Sequence, residues 1–189
     1  SAADRAVRGD LDGIELSVGM DYLFANFLHP HGNRRDDKYG GATLEERMTF
    51  LDEVVDAVRG ELGTDRLLGV RFYDDMVEYS LNLEDYVELA KILEQRDQVD
   101  YFNMWQGIVP NPKSGRVHWP SYYYKPGQFD YLPAALKAAV SLPVVGTGRI
   151  DSPELANRMI EQGKADIIGL ARALIADPHF PNKAKGEEV

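Results

Sequence analysis

Five short apolar runs alternate with amphipathic segments along the chain. Each run has the length of a strand that is buried on both faces. The runs lie at residues 13–17, 67–72, 99–105, 143–148 and 165–170. After the first run, apolar residues recur on one helical face from Leu44, and Thr43 with Glu46 has the spacing of a capping box. We expect this helix to end near Gly60. The order of elements predicts a parallel α/β sheet with right-handed crossovers.

Two further helices have recognisable ends. One is predicted to begin after Asn82 as its N-cap. The other has Ser152 as N-cap, Pro153 in its first turn and Gly163 as its terminator. Because no linker interrupts the alternation, we predict a single domain over residues 1–189.

Loop lengths bear on the choice between two parallel folds. The loops after two strands are long and polar, at residues 29–41 and 107–128, whereas the returns from helix to strand are short. Long loops after the strands are typical of the active face of a TIM barrel. A complete barrel usually needs ~250 residues, so a chain of 189 residues favours a partial barrel. An open doubly wound sheet is the alternative.

Charge and composition narrow the choice of partners. The net charge of −10 and the pI of about 4.8 disfavour nucleic acid and anionic membranes, which would repel the chain. No apolar run approaches the ~18 residues of a membrane span. We therefore expect a cytoplasmic protein that binds small molecules, and homo-oligomerisation stays open. With no cysteine and no metal-site spacing among four histidines, we predict no metal site.

Glycines and arginines after the last two strands offer the clearest binding chemistry. Gly146, Gly148 and Arg149 end one predicted strand, and Ala171 and Arg172 follow the next. Glycines let the backbone approach an anion closely, and arginines add charge-assisted hydrogen bonds. Barrels commonly bind phosphate at this position. These five residues predict a phosphate site. The alternative is a tight turn whose arginines pair with surface acids.

The first long loop carries a family pattern. Residues 22–28 read Tyr-Leu-x-x-x-Phe-Leu, residues 33–41 read Asn-x-Arg-x-Asp-x-Tyr-Gly-Gly, and residues 44–47 read Leu-Glu-x-Arg. This pattern resembles the Old Yellow Enzyme family of FMN oxidoreductases, and the resemblance continues in order to about residue 178. It implies that the chain supplies strands 4 to 8 of an FMN-binding TIM barrel.

The resemblance implies cofactor roles for individual positions. Arg71 matches an arginine that approaches the pyrimidine edge of the flavin and stabilises negative charge on the reduced ring. An internal salt bridge is its alternative role. The five residues of the predicted phosphate site match the phosphate-binding loops of the family. A further set is interpreted as structural, holding the long loop in place: Asn33, Arg35, Asp36, Tyr39 and Arg47.

Catalytic and substrate positions are also implied. Tyr22 matches the active-site tyrosine that donates a proton, and its alternative role is packing against the phenylalanines of its own loop. Ser17 and Met20 occupy the positions of the pair that binds the substrate oxygen in carbonyl-reducing members. Since methionine cannot donate that hydrogen bond, the substrate stays open. His118, in the long loop at residues 107–128, is a second candidate acid. Relatives that reduce dienoyl thioesters use a histidine in the matching loop.

Aromatic residues point to one branch of the family. Residues 119–127 and 175–183 resemble trimethylamine and histamine dehydrogenases, in a branch with 2,4-dienoyl-CoA reductases. Trp105 and Trp119 are candidates for the aromatic wall of a substrate site, where they would bind an alkylated ammonium group by cation–π contact. The alternative is that both tryptophans only pack within the fold.

The resemblance implies an FMN-dependent oxidoreductase that oxidises an alkylated amine or reduces an activated alkene. NAD(P)H or an electron-transfer protein would be its partner. An iron–sulfur cluster is implied only for a C-terminal extension beyond Val189. The alternative is a catalytically silent partial barrel that binds a phosphorylated ligand or assembles with other chains.

Overall fold

Five parallel strands form the centre of the fold in the computed structural model, which describes residues 1–20, 22–74, 81–106 and 119–186. The strands are β1 (Gly13–Val18), β2 (Leu67–Asp74), β3 (Tyr101–Gln106), β4 (Val144–Gly146) and β5 (Ile167–Ile168). The helices of the described residues are α1 (Ala2–Arg8), α2 (Leu23–Leu28), α3 (Leu44–Arg47), α4 (Thr49–Leu62), α5 (Leu83–Gln95), α6 (Tyr131–Lys137), α7 (Pro153–Glu161), α8 (Arg172–Ala176) and α9 (Phe180–Ala184). At least one helix therefore separates each pair of consecutive strands.

The strand order distinguishes the two folds that the sequence leaves open. The order is β1-β2-β3-β4-β5, and every neighbouring pair is parallel. A doubly wound sheet reverses its order at a switch point, whereas a barrel wall keeps strands in sequence order. The prediction of a partial TIM barrel is confirmed.

The two faces of the sheet differ in chemistry. One face carries Val70, Phe72, Phe102 and Met104, which pack with the helices in the main hydrophobic core. Side chains alternate between the faces of a strand, so the odd-numbered positions face the opposite way. That second face, here called the inner face, carries these polar and aromatic residues: Glu15, Ser17, Arg71, Tyr73, Tyr101, Asn103 and Trp105. Binding chemistry is thus concentrated on the inner face.

The predicted helix starts are confirmed, and one predicted helix is divided. Thr43 and Asn82 each form a capping box, and the Ser152 side chain accepts from Leu155 N. The prediction of one continuous helix from Leu44 is wrong, because α3 and α4 meet at Met48. The Met48 N–H is shared between the carbonyls of residues 44 and 45, which tightens the turn. The second helix ends at Leu62 rather than near residue 60.

The loop between α2 and α3 is held by its own polar side chains. Asn33 Nδ2 donates to Phe27 O and Tyr39 O, at 2.6 and 2.7 Å. Arg35 forms a bidentate pair with Asp37. The structural interpretation of Asn33 and Arg35 is confirmed, because their side chains hold the loop to itself and to the end of α2.

Candidate functional site

A cavity of about 320 Å³ lies beyond the carboxyl ends of β4 and β5. Four of the predicted phosphate-site residues line it, namely Gly148, Arg149, Ala171 and Arg172, and Trp105 from β3 forms a further wall. Pro120 and Ser121 also line it; the sequence placed both in the run at 119–127 that resembles amine dehydrogenases, without a role in the phosphate site. The structure therefore brings together residues that are far apart in the sequence, from Trp105 to Ala176.

Both arginines bind main-chain carbonyls at the rim of this cavity. Arg149 Nη1 donates to Ser121 O at 2.5 Å and to Tyr124 O at 2.7 Å. Arg172 Nη1 donates to Pro120 O at 2.8 Å. Within the described ranges neither guanidinium forms an ion pair with a carboxylate, so the pairing with surface acids is not found there. Each guanidinium has five N–H donors, and several are left for an anion.

The backbone around the arginines also suits an anion. Gly148 has φ +111° and Arg149 has φ +52°, so the chain turns sharply after β4. Helix α8 begins at Arg172, and its N-cap, Ala171, provides no side-chain hydrogen bond. The first N–H groups of a helix have no partner within it. Together these donors can hold a phosphate.

Replacing Gly148 with alanine is expected to destabilise the protein by about 1–2 kcal/mol, because φ +111° strains any residue with a Cβ. The added Cβ would lie 3.3 Å from Gln106 Oε1. Gly60→Ala is the matched control. It lies within α4 with no atom within 4 Å of the added Cβ, and should stabilise by roughly 0.5–1 kcal/mol. Urea unfolding of both variants measures the difference, and equal effects would contradict it.

Gly146 has a different environment from the other phosphate-site residues. A Cβ at this position would lie 2.8 Å from Ala165 Cβ and 3.2 Å from Met159 Cε. The absence of a side chain thus permits close packing against the helix layer. The predicted cofactor contact of Gly146 stays a prediction for its main chain.

Arg71 lies on the inner face and is 36% exposed. Its Nη2 is 2.6 Å from Glu15 Oε1, so the internal salt bridge considered for this arginine is present. Among the described residues, Arg71 Nε and Asn103 Oδ1 are buried without a hydrogen-bond partner. The guanidinium is held at one edge while part of it stays accessible. Its predicted flavin contact therefore stays compatible with the salt bridge.

Tyr101 shares this polar environment. Burial first, and then the charge and hydrogen bond of Glu15, raise the pKa of Tyr101 to about 12. The folded protein therefore holds the phenolic proton more tightly than the unfolded chain, whose tyrosine pKa is near 10.0. The stability that this contributes is complete below pH 10 and is lost as the pH rises to 12.

We expect the wild type to lose more stability than Tyr101→Phe between pH 10 and pH 12, because phenylalanine has no proton to release. Urea unfolding of both proteins across this range measures the loss. Parallel curves for the two proteins would show that Tyr101 titrates normally.

Three of the four predicted substrate positions lie close together. Met20 packs with Tyr73, and Trp105 packs against both. Ser17 Oγ donates to the Tyr73 hydroxyl at 3.4 Å. Tyr73 was missed by the sequence analysis, although it lies two residues after Arg71 and so on the same face of β2. The result is a small cluster in which Met20 and Tyr73 are buried and Trp105 is partly exposed.

The remaining predicted positions are less constrained. Tyr22 is the N-cap of α2 and is 57% exposed, whereas Phe27 of the same loop stacks on Phe50. Trp119 is 59% exposed and precedes the cavity residue Pro120. His118 lies outside the described residues. The catalytic roles of Tyr22 and His118 and the substrate contact of Trp119 stay predictions.

Two kinds of feature are absent from the described ranges. No group of three or more His, Cys, Asp or Glu side chains there is arranged to hold a metal ion. No helix in the same ranges has the length and hydropathy needed to cross a membrane.

Comparison with known proteins shows the family to which this chain belongs. Residues 1–188 match the model of the NADH:flavin oxidoreductase / NADH oxidase family. The chain belongs to this family. A metal reductase of Desulforamulus reducens is 40% identical over 185 residues, which are 97% of this chain and 27% of the relative.

Two solved structures of similar enzymes superpose on almost the whole chain. The complex of 2-naphthoyl-CoA reductase with 2-naphthoyl-CoA gives a TM-score of 0.88 at 31% identity, over 98% of this chain and 28% of that one. Histamine dehydrogenase from Rhizobium sp. 4-9 gives a TM-score of 0.85 at 30% identity, over 98% and 26%. The chain thus spans little more than a quarter of the length of these three relatives.

Proposed function

We propose that this chain supplies the phosphate site and part of the ring site of an FMN-dependent oxidoreductase. The observation that carries the proposal is the cavity between the ends of β4 and β5, where Arg149 and Arg172 converge without carboxylate partners in the described chain. A dianionic phosphate suits two guanidinium groups and the open N–H groups of a helix start. Membership of a flavin-dependent family supports FMN as the phosphate-bearing ligand.

The inner face offers groups that fit the ring of this cofactor. Arg71 is partly accessible, and its Nε and the Asn103 Oδ1 are a buried donor and acceptor without described partners. A flavin pyrimidine edge carries both carbonyl acceptors and an N–H donor. We therefore assign the ring edge to Arg71, and the phosphate to Gly148, Arg149, Ala171 and Arg172.

Bound FMN would supply hydride transfer, and the residues of this chain would bind and orient the reactants. Arg71 would stabilise negative charge at the ring edge. Trp105, which packs against the buried Tyr73, would form an aromatic wall that stabilises an alkylated ammonium group by ~0.5–2 kcal/mol. Ser17 is our candidate donor to a substrate carbonyl group, in exchange for its long 3.4 Å hydrogen bond to Tyr73. Tyr22 is our candidate for holding a proton beside the substrate.

The substrate class follows from this surface and from the relatives. We propose a small organic substrate, either an alkylated amine that is oxidised or an activated alkene that is reduced, with NAD(P)H or an electron-transfer protein as the redox partner. A relative named histamine dehydrogenase supports an amine substrate, and a relative named 2-naphthoyl-CoA reductase supports the reduction of an unsaturated substrate.

Anaerobic spectroscopy of the FMN-loaded protein tests the proposal. An alkylated amine, such as dimethylamine or trimethylamine, should bleach the flavin band if the enzyme oxidises amines. NADH or NADPH should bleach it if the enzyme reduces alkenes, and cyclohexenone should then restore it. Bound FMN that responds to none of these reagents would contradict the redox activity and support the silent partial barrel.

A further inference from the structure

The carboxylate of Glu15 joins three neighbours on the inner face. Glu15 Oε1 is 2.6 Å from Arg71 Nη2, and Glu15 Oε2 accepts from Asn103 Nδ2 at 3.0 Å. The Tyr101 ring lies beside Glu15, and burial together with the Glu15 carboxylate raises the pKa of its hydroxyl. We call Glu15, Arg71, Tyr101 and Asn103 the Glu15 cluster. It links β1, β2 and β3 across the sheet.

A glycine between these strands makes the cluster possible. A Cβ at Gly69 would lie 2.1 Å from Tyr101 Cζ, so the Tyr101 ring occupies the space above this residue. Register pairs Gly69 with both Glu15 and Tyr101. The tyrosine therefore crosses β2 to reach a carboxylate two strands away. The cluster therefore requires glycine at position 69, because any side chain there would displace the Tyr101 ring.

The cluster also determines the charge that Arg71 offers. Arg71 is 36% exposed and Glu15 is 21% exposed, so their charges are incompletely screened by water. A carboxylate at 2.6 Å offsets much of the guanidinium field at any ligand on the inner face. It also holds one edge of the guanidinium, which limits the directions in which the other donors point.

We propose that Glu15 is a positioning residue that fixes the Arg71 guanidinium and lowers the positive charge it presents to the flavin ring. This inference rests on the proposed function, since it requires FMN on the inner face. Glu15 would thereby hold the reduction potential of the cofactor below the value that Arg71 alone would give.

The test is the midpoint potential of bound FMN in Glu15→Gln, measured by anaerobic dye equilibration. Glutamine keeps the size and an acceptor oxygen but removes the charge. We expect the equilibrium to shift about tenfold toward the reduced flavin, which is about 30 mV for a two-electron couple. Asp130→Asn is the matched control, because Asp130 pairs with Lys164 at 2.6 Å and is 23% exposed. Its potential should equal that of the wild type.

A second readout needs no flavin. Glu15→Gln should lower the pKa of Tyr101 below its wild-type value, because a raising charge is removed. The alkaline absorbance titration of the flavin-free protein, with Tyr101→Phe subtracted, measures this change. If Glu15→Gln does not fold, Glu15→Asp takes its place, and its potential should rise by a smaller amount because its carboxylate is withdrawn from Arg71.

The outcomes separate the inference from the function on which it rests. If the wild type binds FMN and the midpoint potential of FMN is unchanged in the Glu15 variants, the proposed role of Glu15 would be overturned. The proposed function would then still stand. An equal rise in Asp130→Asn would also overturn it, because the effect would then be general. Folded wild-type protein that takes up no FMN would overturn the proposed function and this inference together.

Discussion

Replacing Arg172 with alanine is expected to weaken FMN binding roughly 10- to 100-fold and to leave riboflavin binding nearly unchanged. Arg172 lines the cavity, and a charge-assisted hydrogen bond to phosphate contributes about 1.5–3 kcal/mol. Riboflavin has no phosphate and so cannot use this donor. Fluorescence titration of both flavins into the flavin-free protein measures the two affinities.

Arg158→Ala is the control for this prediction. Arg158 is an exposed residue of α7 that is not among the cavity-lining residues, so its loss removes the same charge without removing a donor at the site. Because Arg172 also holds Pro120 O, a purely structural role must be distinguished. Equal weakening of FMN and riboflavin in Arg172→Ala would indicate that structural role and contradict phosphate binding.

Replacing Arg47 with leucine is expected to destabilise the protein by about 3 kcal/mol. Arg47 is 5% exposed, and it donates to Leu28 O at 2.7 Å, to Ala42 O at 2.8 Å and to Gly41 O at 3.2 Å. Burial lowers its pKa, although nearby carboxylates act in the opposite direction. Leucine would leave a buried carbonyl without its donor. The free energy of unfolding in urea measures the effect.

Arg34→Leu provides the comparison for Arg47. Arg34 is exposed in the loop after α2, so its replacement should change the free energy of unfolding by no more than about 0.5 kcal/mol. If Arg47→Leu were as stable as Arg34→Leu, the hydrogen bonds of Arg47 to the end of α2 and to the loop would not be stabilising the fold.

Local sequence signals account for much of the fold. Thr43, Asn82 and Ser152 mark helix starts because capping depends on residues only three positions away. The division of the helix at Met48, unlike these helix starts, was not predictable from local sequence. The preceding Arg47 donates to the carbonyl of Leu28, which is 19 positions away, and such a contact leaves no periodic signal in the sequence.

Part of the candidate site was also predictable from local sequence signals. Gly148, Arg149 and Arg172 follow strands and were identified from residue type and position. Glu15 and Tyr73 were missed because their roles depend on the register between strands. One signal was present, since Glu15 is a charged residue between Ile14 and Leu16 in an apolar run. Such a residue usually requires a buried partner.

The most direct test of the central claim compares FMN with riboflavin on the flavin-free wild-type protein. The phosphate cavity predicts that FMN binds at least about 100-fold more tightly, because two arginines add charge-assisted bonds that riboflavin cannot form. Inorganic phosphate should compete with FMN and not with riboflavin. Equal affinities for the two flavins, or no uptake of FMN by the folded protein, would contradict the account.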